Sequence, residues 1–229
     1  MQTITIPFNQ ITSPNNIADF RKYIRQEVNT VKDEFDRSNI PVDLFHNHVE
    51  GAADSTNTIT RYPRILYQIL NERPILVGLN EGVEAITLLY NLRKSKWELP
   101  RNWILEPSIE KVQITELINY YQLTNWLGLK EDTYAAYCKL DKLSDKIPIL
   151  ENALKKNIIR FLQFSKEVDA IDFNVFIKEI HHAEFVRYKH FSLLAFDITF
   201  GCNLLLPNAI GLGKACSHGF GRLTKWNKK

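Results

Sequence analysis

The sequence predicts an α+β fold, with strands and helices alternating along a chain of 229 residues. Three observations support this prediction. Residues Thr3–Phe8 alternate polar and apolar side chains, which is typical of a half-buried strand. Residues Ile17–Phe35 repeat apolar side chains at helical spacing. The second half begins again with a strand near Val112 and continues with two helices and further strands.

The first half is predicted to fold in the order β-α-β-β-α-β. After the first strand and helix, Tyr62–Leu70 and Pro74–Leu79 are two β-rich runs joined by a polar turn, which indicates a hairpin. Residues Glu81–Leu92 then form an amphipathic helix, and Trp97–Leu105 supply a closing strand. This order is that of the ferredoxin-like unit.

The second half is predicted to be a looser version of the first. Its elements are a strand at Val112–Leu123, helices at Glu131–Leu140 and Ser144–Ser165, and strands at Val175–Ile180, Phe185–Tyr188 and Leu193–Leu206. We place the boundary near Glu106–Pro107, which gives an N-terminal domain of residues 1–107 and a C-terminal domain of residues 108–229.

Composition restricts the class of protein. A hydrophobic content of 45% is ample for two buried cores. A net charge of +3 is only mildly basic, so a nucleic-acid partner would have to meet a local patch of charge. Cys138, Cys202 and Cys216 are odd in number and follow no CxxC spacing, which indicates reduced thiols and a cytoplasmic protein. We expect no membrane span, because no stretch approaches about 18 apolar residues.

A glycine-rich loop, Gly211–Arg222, precedes a short apolar terminal segment. Its glycines are Gly211, Gly213, Gly219 and Gly221, and its polar and basic side chains include Lys214, Ser217, His218 and Arg222. Bare backbone beside basic groups suits an anion, and an RNA phosphate backbone is the leading candidate. The loop lacks the Gly-Lys-Ser/Thr ending of a nucleotide-triphosphate loop. A tight connection before a final strand explains the same glycines, and both interpretations stay open.

Two histidines, His46 and His48, are the leading candidates for chemistry. If the chain is extended there, both side chains share one face. Histidine serves as general acid or base near neutral pH, so the pair could supply both functions. Arg61 and Tyr62 favour catalysis, since a cation and a phenol suit phosphate chemistry. A metal site with a third ligand from His181–His182, or a surface turn, remains an alternative.

Two further features of the second half have simpler interpretations. His181 and His182 are adjacent, so on a strand they point to opposite faces, and we interpret them as part of a basic surface stripe. Asp197 is a charge within an apolar strand, and we interpret it as a solvent-facing position of an alternating pattern.

Segments along most of the chain resemble a known family when taken together and in order. They are Phe45–His48, Arg61–Pro63, Ile75–Ile86, Leu123–Leu129, Leu193–Phe200 and the glycine-rich loop. In this series they resemble the CRISPR-associated endoribonucleases that cut precursor CRISPR RNA at its repeats, the sixth Cas family of the RAMP superfamily. The resemblance implies two ferredoxin-like (RRM-like) βαββαβ domains in tandem.

The resemblance also implies a metal-independent reaction without a cofactor, in which a 2′-hydroxyl attacks the adjacent phosphate. The products are a 2′,3′-cyclic phosphate and a 5′-hydroxyl. A histidine of the N-terminal domain is frequent in the catalytic set, which we carry over to His46 or His48, with Arg61 stabilising the phosphorane and Tyr62 orienting the substrate. The other histidine would position or donate a proton.

The resemblance assigns RNA-backbone binding to the glycine-rich loop. The implied set is Gly211, Gly213, Lys214, Ser217, His218, Gly219, Phe220, Gly221 and Arg222. The residue before Gly-Phe-Gly is commonly basic in the family and is His218 here, which leaves open whether His218 takes part in catalysis. Expected partners are repeat RNA in precursor transcripts, subunits of a CRISPR effector complex and a second copy of the chain, with no membrane. A non-catalytic RNA-binding subunit of such a complex is the alternative.

Overall fold

The protein is described by a computed structural model that covers residues 1–9, 17–46, 62–70, 72–97, 99, 103–166 and 172–226. Two compact units divide the chain. The first comprises Met1–Glu110 with Ser217–Gly219, and the second comprises Lys111–Cys216 with Phe220–Lys229. The first unit ends at Glu110 and the second begins at Lys111. The division into domains of residues 1–107 and 108–229 stays a prediction.

The first half of the chain contains a four-stranded sheet covered by helices. Its elements are β1 (Gln2–Pro7), α1 (Ile17–Asn29), α2 (Lys32–Arg37), a 3₁₀ helix (Val42–Phe45), β2 (Ile65–Leu70), β3 (Arg73–Leu79), α3 (Glu81–Arg93) and β4 (Ser108–Ile109). The strand order is β2-β3-β1-β4, and each neighbouring pair is antiparallel. The predicted β-α-β-β-α-β order is therefore confirmed.

The core of this unit follows from the two periodicities of the sequence. Ile4 and Ile6 lie two apart on β1, so both point to the same face of the sheet, and both are buried. Phe20, Ile24 and Val28 lie four apart on α1 and form its buried face. These side chains belong to one hydrophobic cluster that joins helices to sheet.

Two predicted elements of the first half are wrong in their bounds. The helix expected over Ile17–Phe35 is divided into α1 and α2. The closing strand expected at Trp97–Leu105 is instead the two-residue β4, which pairs with β1. Trp97 is buried in the core, with its ring centroid 5.0 Å from that of Phe8. Its apolar character therefore reflects core packing instead of strand alternation.

The second half contains a sheet of the same strand order. Its elements are β5 (Gln113–Trp126), α4 (Glu131–Cys138), α5 (Leu143–Ser165), β6 (Val175–Tyr188), β7 (Phe191–Leu205), a 3₁₀ helix (Cys216–His218) and β8 (Arg222–Lys225). The order β6-β7-β5-β8 matches that of the first sheet, position for position. The tandem ferredoxin-like prediction is thus confirmed. The βαββαβ order places a helix before its last strand. Residues 206–221, between β7 and β8, are all described and contain no α-helix, and the glycine-rich loop occupies this position instead.

The second core lies between α5 and its sheet. Leu154, Ile158 and Phe161 of α5 are fully buried. On the sheet, the rings of Tyr121 and Phe200 stack with centroids 5.5 Å apart. No helix in the described part of the chain is both long and apolar enough to cross a membrane.

Strand β6 was predicted as two short strands and is one continuous strand. Its pairing with β7 shifts register between Ile177 and Glu179 and again between Ile180 and His182. Each shift is a β-bulge, which inserts an extra residue and breaks the alternation of side chains. A pattern with period two therefore cannot be followed through β6 in the sequence.

Candidate functional site

His46 lies immediately after the 3₁₀ helix of the first unit. Its backbone N–H donates to the Asp43 carbonyl over 2.8 Å and its side chain is half-buried. The backbone angles of His46 are φ −116° and ψ −17°, so the chain is not extended at this residue. The extended chain that would place His46 and His48 on one face is therefore not present at His46, where the 3₁₀ helix ends, and His48 lies outside the described residues.

The residue before His46 is anchored in the core. Phe45 is 1% exposed, and its ring meets that of Phe35 edge to face with centroids 5.8 Å apart. Its carbonyl accepts a hydrogen bond of 3.2 Å from Tyr67 Oη on β2. The peptide that leads into His46 is thus tied to the sheet.

Tyr67 was missed by sequence reasoning. The side chain is 1% exposed, and burial raises the pKa of its hydroxyl far above the ordinary value. The hydroxyl therefore stays protonated and can donate over the working pH range. The Arg21 guanidinium lies over the Tyr67 ring, 5.2 Å from its centroid. A tyrosine within a mostly apolar strand was the available signal, since a buried phenol needs a hydrogen-bond partner.

The remaining predicted catalytic residues are less completely described. Tyr62 is 7% exposed, so most of its ring is removed from solvent. His48 and Arg61 lie outside the described residues. The catalytic roles of His46, His48, Arg61 and Tyr62 accordingly stay predictions.

The glycine-rich loop is closed by its own backbone. Gly211 and Arg222 form an antiparallel bridge, and the Leu212 N–H donates to the Gly221 carbonyl over 2.8 Å. The Lys214 N–H donates to the Leu127 carbonyl over 3.0 Å. The two limbs of the loop therefore pair with each other and with the end of β5.

This closed backbone explains two of the glycines without a ligand. Gly221 has φ +62°, and a Cβ there would lie 1.8 Å from the Leu212 carbonyl oxygen. Gly213 has φ +94°, and its Cβ would lie 2.8 Å from the Leu127 carbonyl oxygen. Side chains at these positions would collide with the protein's own main chain. The tight-connection interpretation thus accounts for them, and RNA contact by the loop stays a prediction.

The side chains of the loop differ in accessibility. Lys214 is exposed, whereas Ser217 is only 6% exposed. Ser217 Oγ and His218 Nδ1 are 3.2 Å apart, within hydrogen-bond distance. Phe220 is half-buried, with its ring edge to face against Tyr188. Lys214 is therefore the most accessible cation for a phosphate.

Arg222 and Asp197 interact electrostatically at the base of the loop. Burial lowers the pKa of the Arg222 guanidinium, and the Asp197 carboxylate partly offsets this effect. Asp197 is half-buried, and its Oδ1 accepts a 2.6 Å hydrogen bond from the Asn125 N–H. Asn125 itself has φ +52° and lies in an irregular part of β5. The charge on the strand therefore has a structural role in addition to any solvent contact.

The adjacent histidines of β6 each lie beside a glutamate. His181 Nδ1 is 3.4 Å from Glu179 Oε1, and its Nε2 is 2.7 Å from Thr199 Oγ1. His182 Nε2 is 3.4 Å from Glu184 Oε2. These carboxylates reduce the net positive charge expected of the stripe. In the described ranges, no group of three or more His, Cys, Asp and Glu residues is placed to hold a metal ion.

The cysteines provide a test of whether the loop is closed. Cys216 is buried inside it, its Sγ donates to the Gly213 carbonyl over 2.9 Å, and burial raises the pKa of its thiol to about 12. Burial also raises the pKa of Cys202 to about 11, whereas Cys138 is exposed. Because the thiolate is the reactive species, we expect only Cys138 to react quickly with a thiol reagent at mildly alkaline pH. Mass mapping of the labelled sites checks this, with denatured protein as the control; fast labelling of Cys216 would contradict a closed loop.

Comparison with known proteins assigns the chain to a family. The model of the Cas6b N-terminal domain matches residues 1–114, and that of the Cas6b C-terminal domain matches residues 113–226. The chain belongs to the Cas6b family. The resemblance to CRISPR-associated endoribonucleases of the sixth Cas family is thereby confirmed.

Relatives of this Cas6b family member agree with the fold. A crystal structure of Cas6b superposes with a TM-score of 0.73 at 21% identity, covering 98% of this chain and 99% of the other. A CRISPR RNA processing endoribonuclease Cas6b superposes with a TM-score of 0.69 at 18% identity, covering 99% and 100%. An uncharacterized protein of Methanocaldococcus jannaschii is 31% identical over 111 residues, which are 48% of this chain and 73% of that protein.

Proposed function

We propose that this Cas6b family protein is an endoribonuclease that cleaves precursor CRISPR RNA within its repeats and so generates mature guide RNAs. The observation that carries the proposal is the match of both Cas6b domain models, in order, across residues 1–226. The fold shared with a protein described as a CRISPR RNA processing endoribonuclease supports it.

The reaction proposed is an attack of a ribose 2′-hydroxyl on the adjacent phosphate. A general base takes the 2′-hydroxyl proton, the O2′–P bond forms, and the P–O5′ bond breaks as an acid protonates O5′. His46 or His48 is the base, and the other histidine positions or donates the proton that O5′ receives. Arg61 stabilises the negative phosphorane, and Tyr62 orients the substrate. Proton transfer and charge stabilisation are supplied by side chains, so this mechanism needs no metal ion.

RNA binding is proposed at the glycine-rich loop. Lys214 is exposed and free to approach a phosphate, whereas the charge of Arg222 is partly compensated by Asp197. His218 is half-buried, and its Nδ1 lies within hydrogen-bond distance of Ser217 Oγ. Association with subunits of an effector complex and with a second copy of the chain also stays a prediction.

The test is cleavage of cognate repeat RNA in the presence of EDTA. We expect the rate to equal that in magnesium buffer. A polynucleotide kinase should label the 5′ end of the downstream product directly, and the 3′ end of the upstream product should resist periodate until the cyclic phosphate is removed. Loss of cleavage in EDTA, with recovery on addition of magnesium, would contradict metal independence alone. Tight binding without cleavage in either buffer would instead favour the non-catalytic RNA-binding subunit.

A further inference from the structure

The peptide group between Phe45 and His46 is held at both of its polar atoms. The Phe45 carbonyl accepts from Tyr67 Oη over 3.2 Å, and the His46 N–H donates to the Asp43 carbonyl over 2.8 Å. The second bond is local to the 3₁₀ helix, whereas the first reaches across 22 residues of sequence to β2. Together they fix the plane from which the His46 side chain projects.

Both partners of the long-range bond are themselves immobilised by the core. The Tyr67 ring meets Phe20 edge to face with centroids 5.8 Å apart, and Arg21 covers it at 5.2 Å. Phe45 is held by Phe35 at the same centroid distance of 5.8 Å. Close-packed rings leave little freedom for either end of the bond, so the carbonyl position is defined by packing as well as by the hydroxyl.

Burial of apolar surface explains the ring of Tyr67 but not its hydroxyl. A phenylalanine would fill the same apolar space, and a buried hydroxyl is costly unless it is hydrogen-bonded. Here the hydroxyl donates to the carbonyl of Phe45, the residue before the candidate catalytic His46. Because burial raises the pKa of Tyr67, this donor persists at alkaline pH as well.

We propose that Tyr67 is a positioning residue for His46, and this inference rests on the proposed catalytic role of His46. In this role Tyr67 acts on the backbone that precedes His46 and not on the substrate. It holds the Phe45 carbonyl, and through this peptide it sets the direction of the imidazole toward the scissile phosphate. Catalysis is sensitive to such placement, since a displacement of about 1 Å caused by a change away from the chemistry can cost about 100-fold in rate.

The test compares Tyr67→Phe, His46→Ala and the double variant in single-turnover cleavage of repeat RNA at saturating protein. We expect Tyr67→Phe to slow cleavage by between about 10-fold and about 100-fold, with unchanged RNA affinity. In the His46→Ala background the same substitution should have no further effect, because the group that it positions is gone. Equal slowing in both backgrounds, or no slowing in either, would overturn the inference.

Tyr121→Phe is the matched control for the loss of a buried tyrosine hydrogen bond. Tyr121 Oη donates to the Leu204 carbonyl over 2.9 Å and accepts from the Leu206 N–H over 2.8 Å in the second unit, so its removal costs at least as much hydrogen bonding without touching His46. We expect Tyr121→Phe to lower the melting temperature by at least as much as Tyr67→Phe does, and to leave the cleavage rate unchanged.

An NMR measurement separates failure of this inference from failure of the proposed role of His46. In Tyr67→Phe we expect the His46 imidazole Cε1–H signal to shift or broaden, and in Tyr121→Phe we expect it to stay in place. An unmoved His46 signal in Tyr67→Phe overturns the positioning role whatever the kinetics show. Full activity of His46→Ala would overturn the role of His46, and the imidazole signal would still decide whether Tyr67 positions it.

Discussion

Alanine at the histidine that serves as general base, His46 or His48, is expected to slow cleavage of repeat RNA by about 10²-fold to 10⁴-fold. The substitution removes the group that takes the 2′-hydroxyl proton, while the surfaces that bind RNA are left intact. We expect the other histidine, as proton donor, to show a smaller loss. The measurement is the single-turnover rate constant of each variant, together with its dissociation constant for a non-cleavable 2′-deoxy repeat.

The control for these variants is His190→Ala. His190 is an exposed histidine in the turn between β6 and β7. Its substitution also removes one imidazole, but at a position far along the chain from His46 and His48. Its rate constant at saturating protein should equal that of the unaltered protein. If neither His46→Ala nor His48→Ala slows cleavage, the catalytic assignment is wrong. If either weakens RNA binding as much as it slows cleavage, that histidine is a binding residue.

The architecture could be predicted because each sheet and helix carries its own periodic pattern. Alternation in β1 and the four-residue spacing in α1 are local signals, and they gave the correct order of elements in the first half. β4 gave no such signal, since two residues are too few to show alternation. In β6 the signal was present but interrupted, because bulges near Glu179 and His182 displaced the pattern.

The two candidate sites, one around His46 and one at the glycine-rich loop, were less predictable because their defining contacts join residues that are distant in sequence. The Tyr67 hydroxyl and Phe45 carbonyl are 22 residues apart, and Asp197 and the Asn125 N–H are 72 residues apart. No spacing rule connects such pairs in a single sequence. Residue types suited to RNA chemistry could be recognised in the sequence. The groups that hold the backbone beside them, such as the Tyr67 hydroxyl and the Asp197 carboxylate, could not be recognised.

The glycine-rich loop illustrates a different limit of sequence reasoning. Its glycines fitted either bare backbone for a ligand or a tight connection, and Gly213 and Gly221 are explained by close approach to the protein's own carbonyl groups. A glycine signals that a backbone atom comes near, and the sequence does not say whether that atom belongs to RNA or to the same chain. A substitution at Gly221 separates the two explanations.

Gly221→Ala is expected to destabilise the protein by more than about 2 kcal/mol, because it combines a positive φ with a severe steric clash. The new Cβ would lie 1.8 Å from the Leu212 carbonyl oxygen, an atom held by the paired limbs of the loop. Relief of this overlap requires the bond from the Leu212 N–H to the Gly221 carbonyl, 2.8 Å in length, to break. Chemical denaturation of the variant measures the loss, and Cys216 should become reactive toward thiol reagents as the loop opens.

Lys214→Ala is expected to have the opposite effects in the same loop. Lys214 is exposed, so its truncation should leave the free energy of unfolding within about 0.5 kcal/mol of the original value. If the loop binds phosphate, the same change should weaken RNA binding and reduce the salt dependence of affinity by about one phosphate contact. Unchanged affinity and salt dependence in Lys214→Ala, with strong destabilisation in Gly221→Ala, would show that the glycine-rich loop is a structural connection. Weaker binding in Lys214→Ala without destabilisation would place an RNA phosphate beside a loop whose glycines serve its own closure.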